Sequence, residues 1–171
     1  MKLPRLNRSI HKWGSIVIAL PLIFIITTGI LLLVRKEFDY LQPPSQRGVS
    51  GVPSISFEQI LTTVKTVPEA NIASWDSIAL LDVRPDKGMI KVRAKNNWEI
   101  QLDANSGAIL QVAFRRSNII ESLHDATYFH KYANLWFTLP ISITLLIISI
   151  TGVILFFLPY YLRSKRRKDS L

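Results

Sequence analysis

The sequence predicts a membrane α-helical protein with one small α+β domain, in which two transmembrane helices flank a short helix and about four antiparallel strands. Three observations predict this fold class. Residues 13–34 and 132–162 contain no charged side chain, and each run reaches the roughly 20 residues that cross a bilayer. The stretch between them changes from helical to strand periodicity. The 171 residues leave too little chain to bury two such helices in a soluble core.

The charge distribution predicts the orientation. Most of the net charge of +9 lies in two short tails, residues 1–12 and 163–171. Basic residues beside membrane spans resist translocation, so we expect both tails in the cytoplasm and the intervening segment outside the inner membrane of a bacterium. This placement indicates contact with the lipid bilayer and argues against a nucleic-acid partner. The first apolar run lacks a small-residue cleavage pattern and is too long for a signal peptide, so we expect an uncleaved anchor.

Both apolar runs carry a Thr-Gly pair, Thr28-Gly29 in the first and Thr151-Gly152 in the second. Small residues inside a span let another helix approach closely. We therefore expect these pairs to pack helices together. Packing of the two spans within one chain is favoured, and a homodimer stays open as the alternative.

The middle of the chain opens with a helix signal. Ser56 and Gln59 have the spacing of a capping box, and the apolar residues from Phe57 to Val64 repeat with helical period. Pro68 ends this helix. Alternating strands follow it, with a two-residue turn predicted at Asn96-Asn97 because asparagine tolerates positive φ.

A second predicted turn runs from Asp103 to Gly107, where aspartate bonds forward to the backbone and glycine supplies positive φ. Alternation places Lys91, Arg93 and Lys95 on one strand face as a basic stripe. This stripe is interpreted as a solvated face, with an interaction surface for an acidic partner or lipid headgroups as the alternative. The carboxylates of the domain fall on turns or outward strand positions, so no catalytic group is predicted. Cysteine is absent, so no thiolate metal site is expected.

The predicted parts, in chain order, are a basic tail (1–12), the first span (13–34), a linker (35–53), the extracytoplasmic domain (54–116), an amphipathic lead-in at the membrane surface (117–131), the second span (132–161) and a basic tail (162–171).

Residues 98–112, WEIQLDANSGAILQV, resemble the last hairpin of a PepSY domain, which carries an Asp-x-x-Ser/Thr-Gly turn. The apolar flanks are similar to the helices of PepSY-associated transmembrane proteins, with His-x-Trp-Gly at residues 11–14 and Thr-Gly in both spans. The resemblance covers residues 7–162. It implies that the middle domain is PepSY-like and extracytoplasmic. Larger members of that family have four or more spans, and some are implicated in reducing ferric siderophores with haem b held in the membrane.

Three histidines, His11, His124 and His130, are candidate haem ligands, because bis-histidine ligation in a helical bundle is the usual membrane arrangement. His11 lies at the cytoplasmic mouth of the first span, and the other two lie near the outer mouth of the second. One chain therefore cannot bring His11 to either of them. A two-fold dimer would pair each histidine with its own copy.

We expect a non-catalytic accessory or interaction subunit of a membrane complex, linked by the resemblance to iron or siderophore handling. The alternative is a haem b-binding electron-transfer subunit that works as a dimer or with a membrane-protein partner. On its own the chain is not expected to be an enzyme.

Overall fold

The computed structural model describes residues 3–168, so the ends of both predicted basic tails, residues 1–2 and 169–171, lie outside the described residues. Helix α1 covers Leu3–Leu33. Its part Leu6–Leu33 and the later stretch Asn134–Leu162 are long and apolar enough to cross a membrane, with mean hydropathies of 2.9 and 2.7. Only 11% of the most apolar part of the first stretch and 6% of that of the second is buried within the protein. A helix in a soluble core would be mostly buried, so both predicted spans are confirmed as membrane helices by length, composition and exposure.

Four α-helices and four strands make up the described chain, with three short 3-10 helices in the middle. Besides α1, they are α2 (Phe57–Lys65), β1 (Ile78–Arg84), β2 (Met89–Ala94), β3 (Trp98–Asp103), β4 (Ile109–Phe114), α3 (Arg116–His124) and α4 (Leu139–Lys168), the last preceded by a π-helical turn (Asn134–Thr138). Residues Leu31–Glu121 form one compact unit, and the membrane helices with the end of α3 form the other. The predicted fold class is confirmed.

The membrane unit is an antiparallel pair of helices. Its seam is lined by side chains that are buried between α1 and α4, among them Ile18 and Ile148. A Cβ added to Gly14 would lie 3.2 Å from Cδ1 of Ile148. The missing side chain at Gly14 therefore leaves room for the side chain of Ile148, and small residues of this kind are common where helices associate in lipid.

The domain between the spans is a four-stranded antiparallel meander in the order β1-β2-β3-β4, with α2 on one face. The predicted capping box is confirmed: the side chain of Ser56 accepts from the backbone of Gln59, whose own side chain accepts from the Ser56 N–H. This start aims Ile60 and Val64 of α2 into the apolar core. Ile90, Val92, Ala94, Ile100 and Leu102 of the central strands complete that core.

The opposite face of the sheet is polar, and residues 42–49, here called the strap, hydrogen bond to it. The backbone N–H of Gln46 donates to Oε1 of Gln101 (2.8 Å), and Nε2 of Gln101 donates to the carbonyl of Pro44 (2.9 Å). The strap lies inside the segment 35–53 that composition marks as a linker. It has no regular secondary structure, yet these bonds fix it to the strands.

Glu99 and Lys91 are buried on this polar face, 0% and 1% exposed. The prediction that Lys91 belongs to a solvated basic stripe and Glu99 to an outward strand position was therefore wrong. Nζ of Lys91 lies 3.0 Å from Oε1 of Glu99, and Nη1 of Arg115 lies 3.0 Å from Oε2. Strand alternation separates the two faces correctly but does not reveal that the strap covers the second one.

The three charged groups shift one another's pKa values. Burial lowers the pKa of Lys91, against the opposing attraction of Glu99. Burial also lowers the pKa of Arg115. Burial works to raise the pKa of Glu99, but the charges of Lys91 and Arg115 and its hydrogen bonds outweigh it and hold that pKa below its ordinary value. The carboxylate therefore stays ionised at neutral pH.

The hairpin between β2 and β3 differs from its prediction. Its loop has three residues, 95–97, and only the last, Asn97, has positive φ (70°). The N–H of Asn97 donates to the carbonyl of Ala94 (3.1 Å). The loop is a turn followed by one left-handed residue, which is the next commonest hairpin connection after the two-residue turn.

Glu99→Gln should destabilise the domain by about 3–5 kcal/mol, because it leaves Lys91 and Arg115 buried without their counter-charge. Hydrogen exchange of the β2 and β3 amides in the detergent-solubilised chain measures this loss. Glu69→Gln, at an exposed position in the same domain, is the matched control and should change stability by no more than about 0.5 kcal/mol. Equal effects of the two variants would contradict the account.

Candidate functional site

His124, at the end of α3, contacts the Thr-Gly pair of α1. Its Nδ1 lies 3.0 Å from Oγ1 of Thr28 and 3.0 Å from the carbonyl oxygen of Ile25. Thr28 is buried, and its hydroxyl also lies 2.9 Å from the carbonyl of Phe24 and 3.0 Å from that of Ile25. The imidazole is therefore held at one edge by a threonine hydroxyl and a helix carbonyl.

His11, in the first turns of α1, has the same environment on α4. Its Nδ1 lies 3.1 Å from Oγ1 of Thr151 and 3.2 Å from the carbonyl oxygen of Ile148. The hydroxyl of Thr151 donates to that same carbonyl (2.9 Å). Each Thr-Gly pair thus contacts a histidine from another helix of the unit. The two contacts lie at opposite ends of the two membrane helices.

The chemistry of these partners decides which ring nitrogen carries the proton. A carbonyl oxygen only accepts, and each threonine hydroxyl has already donated its single hydrogen to a carbonyl. Nδ1 of His11 and of His124 must therefore be the donor. In the neutral ring, Nε2 is then unprotonated and carries a lone pair. A metal-ligating histidine is usually held in this way, with its second nitrogen donating to a carbonyl.

The glycine of each pair makes room for the ring. A Cβ added to Gly29 would lie 3.2 Å from Cε1 of His124, and one added to Gly152 would lie 3.1 Å from Cε1 of His11. Both distances are shorter than ordinary van der Waals contact. The predicted helix-packing role of Thr28, Gly29, Thr151 and Gly152 stays a prediction, and the structure adds that each pair contacts an imidazole.

His130 does not share this environment. It is exposed, and its Nδ1 accepts the backbone N–H of Tyr132 (3.2 Å). The proton of the neutral ring then sits on Nε2, so that nitrogen cannot act as a ligand without a change of tautomer. Of the three candidate ligands, His11 and His124 form a matched pair and His130 stands apart.

The two matched imidazoles are far from each other. His11 and Thr28, the residue that His124 contacts, are about 26 Å apart along α1 at a rise of 1.5 Å per residue. This separation agrees with the expectation that one chain cannot bring His11 beside His124. Each end of the helix pair therefore offers one imidazole, and the described residues 3–168 contain no group of three or more histidine, cysteine or acidic side chains that could hold a metal ion.

Sequence reasoning noticed the repeated Thr-Gly pairs and the histidines but not their pairing. The available signal was the order His, then Thr-Gly, which occurs twice: His11 before Thr28-Gly29, and His124 before Thr151-Gly152. In an antiparallel arrangement this order allows each histidine to lie near the other repeat's threonine, but the register of the helices brings the groups together.

Asp103 and Gly107 form the predicted turn. Oδ1 of Asp103 accepts from the backbone N–H of Asn105 (2.9 Å) and of Ser106 (2.7 Å), and Gly107 has φ +73°. Oδ2 accepts from the N–H of Val49 in the strap (2.7 Å). These backbone bonds, first those of Ser106 and Val49, lower the pKa of Asp103 to about 2.

Of the remaining basic residues predicted to form an interaction surface, Arg93 is half-buried and Lys95 is exposed. Nε of Arg93 lies 3.5 Å from Oε2 of Glu99. The stripe is thus divided, since two of its three members turn to the buried carboxylate.

Comparison with known families finds a match over nearly the whole chain. A model of the family described as the PepSY-associated TM region matches residues 8–169, nearly the whole chain. No curated protein and no solved structure matches.

Selective ¹⁵N labelling of histidine tests the two imidazole environments. His11 and His124 should show the Nδ1–H tautomer and His130 the Nε2–H tautomer, because the first two face carbonyls and the third faces an N–H. The ring ¹⁵N shifts of the neutral protein report the tautomer directly. Thr28→Val, which removes the hydroxyl acceptor, should alter only the signal of His124. An Nε2–H tautomer at His11 or His124 would refute the arrangement.

The Asp103 turn predicts that the domain becomes less stable at low pH, which is called its acid limb below. In the folded domain the pKa of Asp103 is about 2, and its ordinary value is 3.8. The contribution of this carboxylate to the free energy of unfolding is therefore complete above pH 3.8 and is lost as the pH falls toward 2. Asp103→Asn should cost about 1–3 kcal/mol at neutral pH, because the Val49 N–H or a turn N–H loses its acceptor. It should also remove this limb, as measured by amide exchange against pH. Asp86→Asn, in an exposed turn, is the control.

Proposed function

This chain belongs to the family of the PepSY-associated TM region, and from that premise we propose that it is a haem b-binding electron-transfer subunit of the bacterial inner membrane. The single observation that carries the proposal is the repeated cradle of a histidine against a Thr-Gly pair. The residues, not the fold, support the function, since one fold serves many activities.

The orientation of the proposed subunit follows from its charges. The basic flanks of both spans favour cytoplasmic ends, which assigns the domain Leu31–Glu121 to the extracytoplasmic side. His11 would then serve the cytoplasmic end of the helix pair and His124 the outer end. A carrier of electrons across a membrane needs one such group toward each face.

The two imidazoles fit haem as axial ligands. Each is half-buried in the helix unit, and each Nδ1 is fixed by its hydrogen bonds, so that Nε2 is the free lone pair. Haem held by histidine supplies a one-electron couple, the potential of which depends on its ligands and surroundings. The hydrogen bond from Nδ1 to a carbonyl makes the imidazole a stronger electron-pair donor to a metal and fixes the plane of the ring. The chain contributes orientation, basicity and an apolar surround.

Two copies of the chain complete the proposed ligand sets. One helix pair offers one imidazole at each end, whereas bis-histidine ligation needs two. A two-fold axis along the membrane normal would bring His11 to its copy at one face and His124 to its copy at the other. The dimer would have four spans, and the resemblance implies four or more for larger relatives.

A second candidate is the non-catalytic accessory subunit, with a link to iron or siderophore handling taken from the resemblance. The observation that favours it lies in the middle domain. Its buried carboxylate Glu99 pairs with both Lys91 and Arg115, and Asp103 is used by its turn. These buried groups serve the structure of the domain, which leaves none of them for catalysis, and a non-catalytic docking role agrees with this.

One absorbance spectrum separates the two candidates. The detergent-solubilised chain, purified from haem-replete cells, should show a Soret band that shifts on reduction with dithionite. His11→Ala or His124→Ala should remove the haem at one end and roughly halve the band, because each removes both copies of one ligand from the dimer. A colourless preparation would leave the accessory subunit as the function.

His130→Ala is the matched control and should leave the spectrum unchanged, because its Nδ1 accepts a backbone N–H. If His130→Ala reduces the band as much as His124→Ala does, the assignment of the outer ligand is wrong. Thr151→Val, which keeps the shape and removes a hydroxyl, should shift the reduction potential with little change in haem content.

A further inference from the structure

We propose that a cavity in the middle domain binds the phosphate group of an anionic lipid headgroup. The cavity has a volume of about 320 Å³ and lies between the strap, the end of β1 and the segment that follows α1. Its charged lining residues are all cations: Lys36, Arg84 and Lys87. Gln42 and Ser45 of the strap add polar side chains.

The cations are not neutralised by the lining. Within residues 3–168, neither Lys36 nor Lys87 has a carboxylate within 4.0 Å. The neighbouring Arg35 does pair, with Glu121 at 3.8 Å. Arg84 pairs with Asp82, so Lys36 and Lys87 are the cations of the lining that a bound anion would neutralise.

Arg84 is held in place for this role. Oδ2 of Asp82 accepts from its Nε (3.0 Å) and its Nη2 (2.8 Å). A guanidinium has five N–H donors in a fixed fork, so donors remain for an anion after Asp82 is satisfied. The hydrogen bond to Asp82 raises the pKa of Arg84 above its ordinary value, which keeps it charged.

The position of Lys36 selects a lipid as the source of the phosphate. The apolar helix α1 ends at Leu33, and Lys36 follows within one turn. A basic residue at that point lies at the depth of the headgroups, whichever way the chain is oriented. A headgroup phosphodiester carries one negative charge and oxygen acceptors that match lysine and arginine. The inference is independent of haem.

The test titrates short-chain phosphatidylglycerol into the full chain in a neutral maltoside detergent, with binding followed by calorimetry. Lys36→Gln/Lys87→Gln should weaken binding about tenfold or more, because it removes two charge-assisted contacts. Lys65→Gln/Arg47→Gln removes the same charge from exposed positions outside the cavity lining and should leave binding within about twofold of the unmodified chain.

Two comparison ligands identify the source. Short-chain phosphatidylcholine should bind more weakly, because its choline is repelled by the same lysines. Glycerol phosphate should bind more weakly because it has no acyl chains. Equal binding by the two double variants overturns the site. Binding of glycerol phosphate as tight as that of phosphatidylglycerol overturns the lipid as its ligand.

Discussion

A polar group that is removed from water must find its partners inside the protein, and Glu99 shows how much of the middle domain depends on this constraint. The carboxylate is completely buried on the sheet face that α2 does not cover. Lys91 and Arg115 contact its two oxygens, and Gln101 donates to it from Nε2 (2.8 Å). Gln101 in turn bonds to the strap. Gln101 thus connects the buried charges to the strap, and the central strands β2 and β3 are buried on both faces.

The same constraint operates in the helix pair. Lipid offers no hydrogen bonds, so a hydroxyl or imidazole in the seam must bond to the helices themselves. The hydroxyls of Thr28 and Thr151 donate their hydrogens to carbonyls of their own helices. Each hydroxyl oxygen can then only accept a further hydrogen bond. A histidine ring can donate such a bond from one N–H. These acceptors therefore favour the tautomer that carries its proton on Nδ1. In this tautomer the lone pair lies on Nε2.

The sequence carried the information that is local and periodic. Absence of charge identified both spans, the Ser56–Gln59 spacing identified the start of α2, and alternation identified the strands. It did not reveal that the strap covers Lys91 and Glu99, because residues 42–49 follow no period and bind through backbone atoms. The loop before β3 was missed by one residue, since only Asn97 uses the positive φ that both asparagines tolerate. The contact of His124 with Thr28 depends on the register of two helices, and spacing along one chain does not determine register.

A chain with one imidazole at each end links its proposed cofactor to its assembly. In the proposed dimer, each haem would join two copies through identical ligands, so haem binding and dimerisation must strengthen each other by the same factor. A larger relative with four spans would carry both ligands on one polypeptide and would not need this coupling. Under the proposed function, this chain would hold haem only where its concentration in the membrane favours the dimer. On this argument, the number of spans decides whether the redox site is permanent or depends on how much of the protein the membrane contains.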